Sequence, residues 1–260
     1  MRIENLTVLI DKKKIVKNLN LSLKSGEVAA LIGPNGAGKS TFLKGICSIN
    51  VKSQGKVFLK EEDLLSLSTH QRAKMIAYMG QFIKAPSFSV KETLEMGRRP
   101  FSGAMLRKKD LLLIDESLEK FNLTKIKDKP LNSLSGGVQQ KVMIASAFLQ
   151  EPKILLLDEP ISHLDPKNQF EMMDIIKNET KKSNIITLIV LHDIHHALHY
   201  SDSIIALKDG ELVGKFQSKE VGAKTLSNLF DTLVSLHEID GHRFVYYGHR
   251  HFNKDSKHHH

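Results

Sequence analysis

The chain contains no tryptophan and a single cysteine, Cys47, in 260 residues. One thiol excludes an internal disulfide and fits a reducing compartment. Aromatic residues make up only 6%, too few to suggest the stacking platforms of a single-strand nucleic-acid binder. The formal charge of +9 does not reverse that reading, because Lys and Arg are spread along the chain rather than gathered in a stripe. It reads as a solvated surface with a basic bias, with a mild attraction to anionic lipid headgroups as the second reading. No nucleic-acid partner is expected. Long apolar runs are also lacking. The apolar runs are brief, such as Ile185-Ile186 and Leu188–Leu191 around Thr187, far short of the ~18 consecutive apolar residues of a spanning helix. Met1-Arg2-Ile3-Glu4-Asn5 carries no apolar signal region. If the protein serves a membrane, other chains are expected to cross it. Lys257-His258-His259-His260 reads as the visible part of a purification tag and is set aside.

What remains is ordinary globular material, 41% hydrophobic and 26% charged, long enough for one large or two small domains. Val28-Ala29-Ala30-Leu31-Ile32-Gly33 is an apolar run closed by glycine, the pattern of a parallel strand buried on both faces. The pattern recurs at Ile154–Leu157, Ile185–Leu191 and Ser203–Leu207. After the last of these, Lys208-Asp209-Gly210 predicts a hairpin into Glu211-Leu212-Val213. Lys39–Ile46 carries Phe42, Leu43 and Ile46 at helical spacing. Buried strands alternating with helices predict an α/β doubly wound core. Residues 1–27 alternate apolar and polar positions, and with Lys56–Leu59 they predict antiparallel strands. Residues from about 85 to 150 show several helical patterns, including Leu111–Ile114 with Leu118 and Phe121, and no convincing strand. From about 225 a short α/β tail contains Phe244–Tyr247.

Gly33-Pro34-Asn35-Gly36-Ala37-Gly38-Lys39-Ser40 fits G-x-x-x-x-G-K-[ST]. Its glycines permit positive φ, so consecutive backbone N–H groups can face phosphate oxygens, and the following helix adds its positive end. Lys39 supplies a point charge for the β/γ-phosphates and Ser40 a hydroxyl for Mg²⁺. A chance glycine-rich turn would not need the buried strand before it and the helix after it. Asp158 and Glu159 end an apolar strand, where open α/β sheets place ligands. Asp158 would hold the Mg²⁺ shell, in part through water. Glu159 would orient the attacking water; a free glutamate, with a pKa of ~4.3, is a poor base at neutral pH, but phosphoryl transfer depends more on positioning. Between these halves lies Leu134-Ser135-Gly136-Gly137-Val138-Gln139-Gln140. Val138, Val142, Ala145 and Leu149 fall on one helical face, Ser135 is expected to cap the helix, and Gly136-Gly137 leave its first amides uncovered. That is an anion site with no strand before it, suited to a phosphate held elsewhere.

Together the three motifs resemble the ATP-binding cassette of ABC transporters over nearly the whole chain. The resemblance implies a RecA-like P-loop NTPase core with an antiparallel β subdomain and an inserted α-helical subdomain. The division implied is 1–84 with 151–225 for the core, 85–150 for the helical subdomain and 226–256 for a C-terminal extension. It implies a homodimer in which ATP and Mg²⁺ lie between Gly33–Thr41 of one chain and Ser135, Gly136, Gly137 and Gln139 of the other. Gln81 matches the family's Q-loop glutamine, which touches Mg²⁺ or water and reports to a membrane partner. Ser162-His163-Leu164-Asp165 matches the D-loop, and Asp165 followed by Pro166 also suits a helix start. His192 matches the switch histidine at the γ-phosphate. Ile10 stands where the family usually places an adenine-stacking aromatic, and Gly80 where proline is common.

Arg72–Tyr78, Phe88–Leu94, Met96–Pro100 and the short tail resemble the subgroup importing iron–siderophore complexes, haem and cobalamin. That implies a pair of membrane-spanning permease subunits, an extracytoplasmic substrate-binding protein and a place on the cytoplasmic face of the membrane. The alternative is a soluble cassette working with an iron–sulfur cluster assembly scaffold. A DNA-maintenance cassette would interrupt the core with sustained heptads, which are not seen here. An exporter would usually fuse its membrane domain, and a translation-associated cassette would carry two motif sets. His195, His196 and His199 fall at helical spacing, and His237, His242, His249 and His251 crowd the tail. No carboxylate or cysteine completes a metal spacing, so solvated histidines are expected rather than a regulatory metal site.

Overall fold

The computed structural model describes residues 1–81, 87–103, 105–162 and 164–248. His163, His249, His251 and the tag-like end lie outside the described residues, as does the stretch spanning the expected boundary at 84. From the N-terminus the chain forms β1 (Arg2–Ile10), β2 (Lys13–Ser22), β3 (Val28–Ile32), α1 (Lys39–Cys47), β4 (Lys52–Leu59), β5 (Glu62–Asp63), α2 (Thr69–Ala73) and β6 (Ile76–Met79). Three longer helices follow, α3 (Val90–Ser102), α4 (Lys108–Lys120) and α5 (Gly136–Leu149). The chain continues through β7 (Ile154–Asp158), α6 (Pro166–Lys182), β8 (Ile186–Val190), α7 (Ile194–Tyr200), β9 (Ser203–Lys208) and β10 (Glu211–Gln217). It then forms α8 (Ala223–Phe230), β11 (Leu233–Ile239) and β12 (His242–Gly248).

The alternating N-terminal segment becomes an antiparallel sheet of order β2-β1-β4-β5. Asp11 and Lys12 both take positive φ between its first two strands, as a two-residue type I′ hairpin turn requires. The apolar runs form a second sheet of order β10-β9-β3-β8-β7-β6. All five residues of β3, of β7 and of β8 are buried, which explains their lack of alternation. Neighbouring strands from β9 to β6 are parallel, and β10 closes the edge antiparallel through the expected Asp209-Gly210 turn. The sequence names four of the five parallel strands; β6 is the addition, only four residues long and interrupted by Tyr78.

Each face of the parallel sheet has its own core. Ala29 and Leu31 of β3 pack with Phe42, Leu43 and Ile46 of α1 and with the inner face of the antiparallel sheet. Val28, Ala30 and Ile32 join the other core, with Met172 and Met173 of α6 and Ala197 of α7. The phosphate-loop helix is therefore clamped between two sheets. Cys47 ends that helix, buried, and burial pushes its thiol up to about 12, which makes it unreactive at neutral pH.

Between β6 and β7 the described residues form helices and no strand. Ser89 and Glu92 close a capping box at the start of α3. Arg98 of α3 is 3% exposed. It donates to Asp110 Oδ1 at 2.9 Å, to the Leu149 carbonyl at 2.6 Å and to Glu151 Oε2 at 2.7 Å. One guanidinium thus ties α3 to α4 and to the end of α5. No helix among the described residues is long and apolar enough to cross a membrane.

Candidate active site

Parallel strands deliver their loops to a single edge, at their carboxyl ends. Here that edge receives Gly33 after β3, His192 after β8, Asp158-Glu159 at the end of β7 and Gln81 after β6, in the spatial order β3-β8-β7-β6. Four stretches distant in sequence become neighbours because their strands do.

Within the phosphate loop, a Cβ on Gly33 would lie 2.0 Å from the Leu207 carbonyl oxygen, so only glycine lets the loop pass under β9. Gly36 and Gly38 take positive φ, the conformation that turns amides toward a bound anion. Lys39 is 6% exposed, and its Nζ donates to the carbonyls of Gly33 at 2.8 Å and Pro34 at 2.9 Å. Burial lowers its pKa, against the opposing pull of Glu159 and Asp158. Ser40 Oγ donates to Asp158 Oδ1 at 3.0 Å. Burial raises the Asp158 pKa, the Ser40 hydroxyl opposes that, and Glu159 adds to it. Thr41 follows within the first turn of α1.

Glu159 takes φ 54°, a left-handed conformation that a non-glycine residue keeps only when its surroundings impose it. Its two carboxylate oxygens are divided between two partners. His192 Nε2 lies 2.5 Å from Oε1, and Gln81 Nε2 donates to Oε2 at 3.4 Å. Three residues assigned separately from sequence meet on one carboxylate. The oxygen pair Ser40–Asp158 is a hard donor set of the kind Mg²⁺ takes, and the loop below it is shaped for phosphates.

Other expected site residues stand apart from this group. Ser135 occupies the N-cap of α5, but among the described residues its hydroxyl makes no capping bond. The expectation that Ser135 caps the helix with its side chain is corrected; the first amides stay open instead. Gly136 and Gly137 begin the helix, and Gln139 Nε2 donates to the Leu134 carbonyl at 2.8 Å. Asp165 accepts from the Asn168 amide at 2.9 Å and from Asn168 Nδ2 at 2.6 Å. It is the N-cap of α6, with Pro166 in the first turn as expected. Ile10 ends β1, 40% exposed, beside the hairpin turn.

The histidines also differ from expectation. His196 is not solvated: it is 4% exposed, with Nε2 3.0 Å from Gln169 Oε1. It packs against α6, its ring edge-on to Phe170 with centroids 5.3 Å apart. His199 packs against His242 and His195 against Phe244, joining α7 to β12. Among the described residues, no group of three or more His, Cys, Asp or Glu could hold a metal ion. One residue at the site went unmarked in sequence. The Tyr78 hydroxyl is buried without a hydrogen-bond partner among the described residues; burial first, then the Asp158 carboxylate, raise its pKa.

A phosphate loop, an Asp-Glu strand end and a glutamine and histidine on the glutamate define a cassette-type nucleotide site. A profile of the ABC transporter family matches residues 16–162, and the chain belongs to that family, as an ATP-hydrolysing cassette. The iron(3+)-hydroxamate import ATP-binding protein FhuC of Bacillus subtilis is 36% identical over 221 residues, 84% of this chain and 82% of that one. The ferric enterobactin transport ATP-binding protein FepC of Escherichia coli is 30% identical over 224 residues, 85% of this chain and 83% of that one. Among solved structures, the dimeric ATP-binding cassette MJ0796 bound to ADP and Pi superposes with a TM-score of 0.74 at 29% identity, over 85% of this chain and 99% of that one.

Proposed function

We propose that this chain is the ATP-hydrolysing subunit of an importer for a metal chelate: an iron–siderophore, haem or cobalamin complex. The observation that carries the ATPase chemistry is the meeting of Gln81 and His192 on Glu159, one residue past the Asp158–Ser40 pair. Similarity to FhuC and FepC, whose names state iron-chelate uptake, supports the importer over the cluster-assembly alternative. In this reading the chain sits at the cytoplasmic face of a membrane, paired with a second copy beneath two permease subunits. An extracytoplasmic binding protein delivers the chelate to them. Its core, 1–84 with 151–225, binds nucleotide; 85–150 forms the helical signature subdomain, and 226–256 a C-terminal extension.

The residues present fit Mg²⁺, which Ser40 and Asp158 would hold with Gln81, in part through water. When bound, Mg²⁺ neutralises charge on the β- and γ-phosphates. Lys39 leaves the Gly33 and Pro34 carbonyls for the phosphates, and the Gly36–Thr41 amides line them. Glu159 accepts a hydrogen bond from the attacking water and aligns it, and His192 holds Glu159 in place while facing the γ-phosphate. Ser135, Gly136, Gly137 and Gln139 of the second copy close over that phosphate, and Asp165 lies at the same junction. Ile10 offers the base an aliphatic contact in place of ring stacking.

Glu159→Gln preserves the shape of this site and removes the charge that aligns water. It is expected to bind ATP and to dimerise while hydrolysis falls about a hundredfold or more. Phosphate release measured alongside ATP-dependent dimerisation checks both halves. Normal turnover in that variant removes Glu159 from the assigned role.

A further inference from the structure

Tyr78 lies on the phosphate side of the sheet and has no part in the chemistry above. It pairs in register with Leu156 of β7. Its side chain therefore leaves the same face as Leu156 and, two residues on, Asp158. Tyr78 and Leu156 pack in the same core as Phe42 of α1. The tyrosine ring leans forward along its strand. A Cβ on Gly80 would lie 3.0 Å from the Tyr78 hydroxyl, 3.2 Å from Cε1 and 3.3 Å from Cζ. The hydroxyl end thus overlies the residue two places beyond its own, an advance of about 6.6 Å along a strand. The same two-residue step separates Leu156 from Asp158. The ring carries its hydroxyl to the level of the Asp158 carboxylate, the charged group that acts on it most strongly. There it is buried and bonds to no described residue. Native proteins rarely leave a buried hydroxyl unpaired without a functional reason.

We propose that Tyr78 is a positioning residue for the metal shell of the nucleotide site. Its hydroxyl donates to Asp158, or to a water that Asp158 holds. Ser40 already fixes Oδ1 of the same carboxylate, so a second donor sets its remaining orientation. A side chain at Gly80 would press on the tyrosine hydroxyl. The inference rests on the assignment of Ser40 and Asp158 to Mg²⁺ made above.

Tyr78→Phe keeps the ring and deletes the donor. Manganese(II) bound together with a non-hydrolysable ATP analogue reports metal affinity by electron paramagnetic resonance. Analogue binding in excess chelator and thermal unfolding report the phosphate loop and the fold. The expected result is metal affinity weakened about tenfold, the scale of lost outer-shell partners, with metal-free binding and unfolding unchanged. Gly80→Ala keeps the phenol but displaces it, and is expected to weaken metal affinity in the same direction. Wild-type metal affinity in folded Tyr78→Phe overturns the inference; if that variant does not fold, wild-type affinity in Gly80→Ala does so. A wild-type chain that binds the analogue but gains nothing from manganese overturns the Ser40–Asp158 assignment instead.

Discussion

At the residue scale, two side chains distant in sequence meet on a single carboxylate. Glu159 is held from both sides, by His192 at 2.5 Å and by Gln81 at 3.4 Å, on a backbone conformation that its residue type disfavours. Gln81 and His192 were legible in sequence only by matching family motifs, because a lone Gln or His has no signature of its own. Lys39, Ser40 and Asp158 were legible from mechanism, since strand, glycine loop and helix follow one another in the chain. Tyr78 was not, because a hydroxyl's place depends on which strand lies beside it. His196 was misjudged for a similar reason: helical spacing placed it on α7 but not on the buried face. Its burial carries a pH dependence. Burial lowers the His196 pKa, with His195 and His199 adding to that and Asp193 opposing it. The unfolded chain then binds more protons than the folded one below the ordinary value of about 6.5, so stability is lost as pH falls through that value. His199 shifts the same way, by burial first and then through His242, Lys177 and His195, against Asp174. The denaturant midpoint is expected to drop on acidification through that window, and His196→Gln to flatten the drop. A pH-independent midpoint there contradicts the buried neutral histidine.

At the scale of elements, the parallel strands were the most legible part of the fold. An unbroken aliphatic run such as Leu155–Leu157 has no polar face, so only a position between two layers satisfies it. β6 escaped because Tyr78 breaks its run and four residues carry too little pattern. The helical stretch was legible as helix but not as an assembly. Met96–Pro100 resembles a subgroup motif in sequence, whereas Arg98 within it is the buried tie among α3, α4 and α5. The Arg107 amide, and then Arg98, hold the Asp110 carboxyl below the usual carboxylate range against the effect of burial. Arg98→Ala strands Asp110 in the interior, which is expected to cost about 3–5 kcal/mol. Denaturant unfolding measures that cost, and a loss within experimental error would show that water replaces the guanidinium. ATP binding at the loop after β3 should survive, because Lys39 and Ser40 are held by the sheet and not by the helical stretch.

At the scale of the whole molecule, the proposed function makes the single chain half of an enzyme. The sheet edge gathers Lys39, Ser40, Asp158, Glu159, Gln81 and His192, while Ser135 and its glycines open a second set of amides at the start of α5. Ser135 spends no hydroxyl on its own helix, and a helix start left open suits a phosphate from outside the chain. In the function proposed above, two copies would complete both sites at once, in the self-complementary arrangement of a two-fold dimer. That proposed arrangement would account for both motifs in one chain and would let closure of the pair move attached permeases.

The most direct measurement mixes two inactive variants. Lys39→Ala removes the phosphate charge of one loop, and Ser135→Arg blocks the helix start while sparing nucleotide binding. In a mixed dimer one site receives both lesions and the other neither. ATP hydrolysis that is absent from each variant alone and reappears on mixing is the result this account predicts. Mixtures that stay inactive, or Ser135→Arg chains that hydrolyse ATP linearly with protein concentration, would contradict a site shared between two copies.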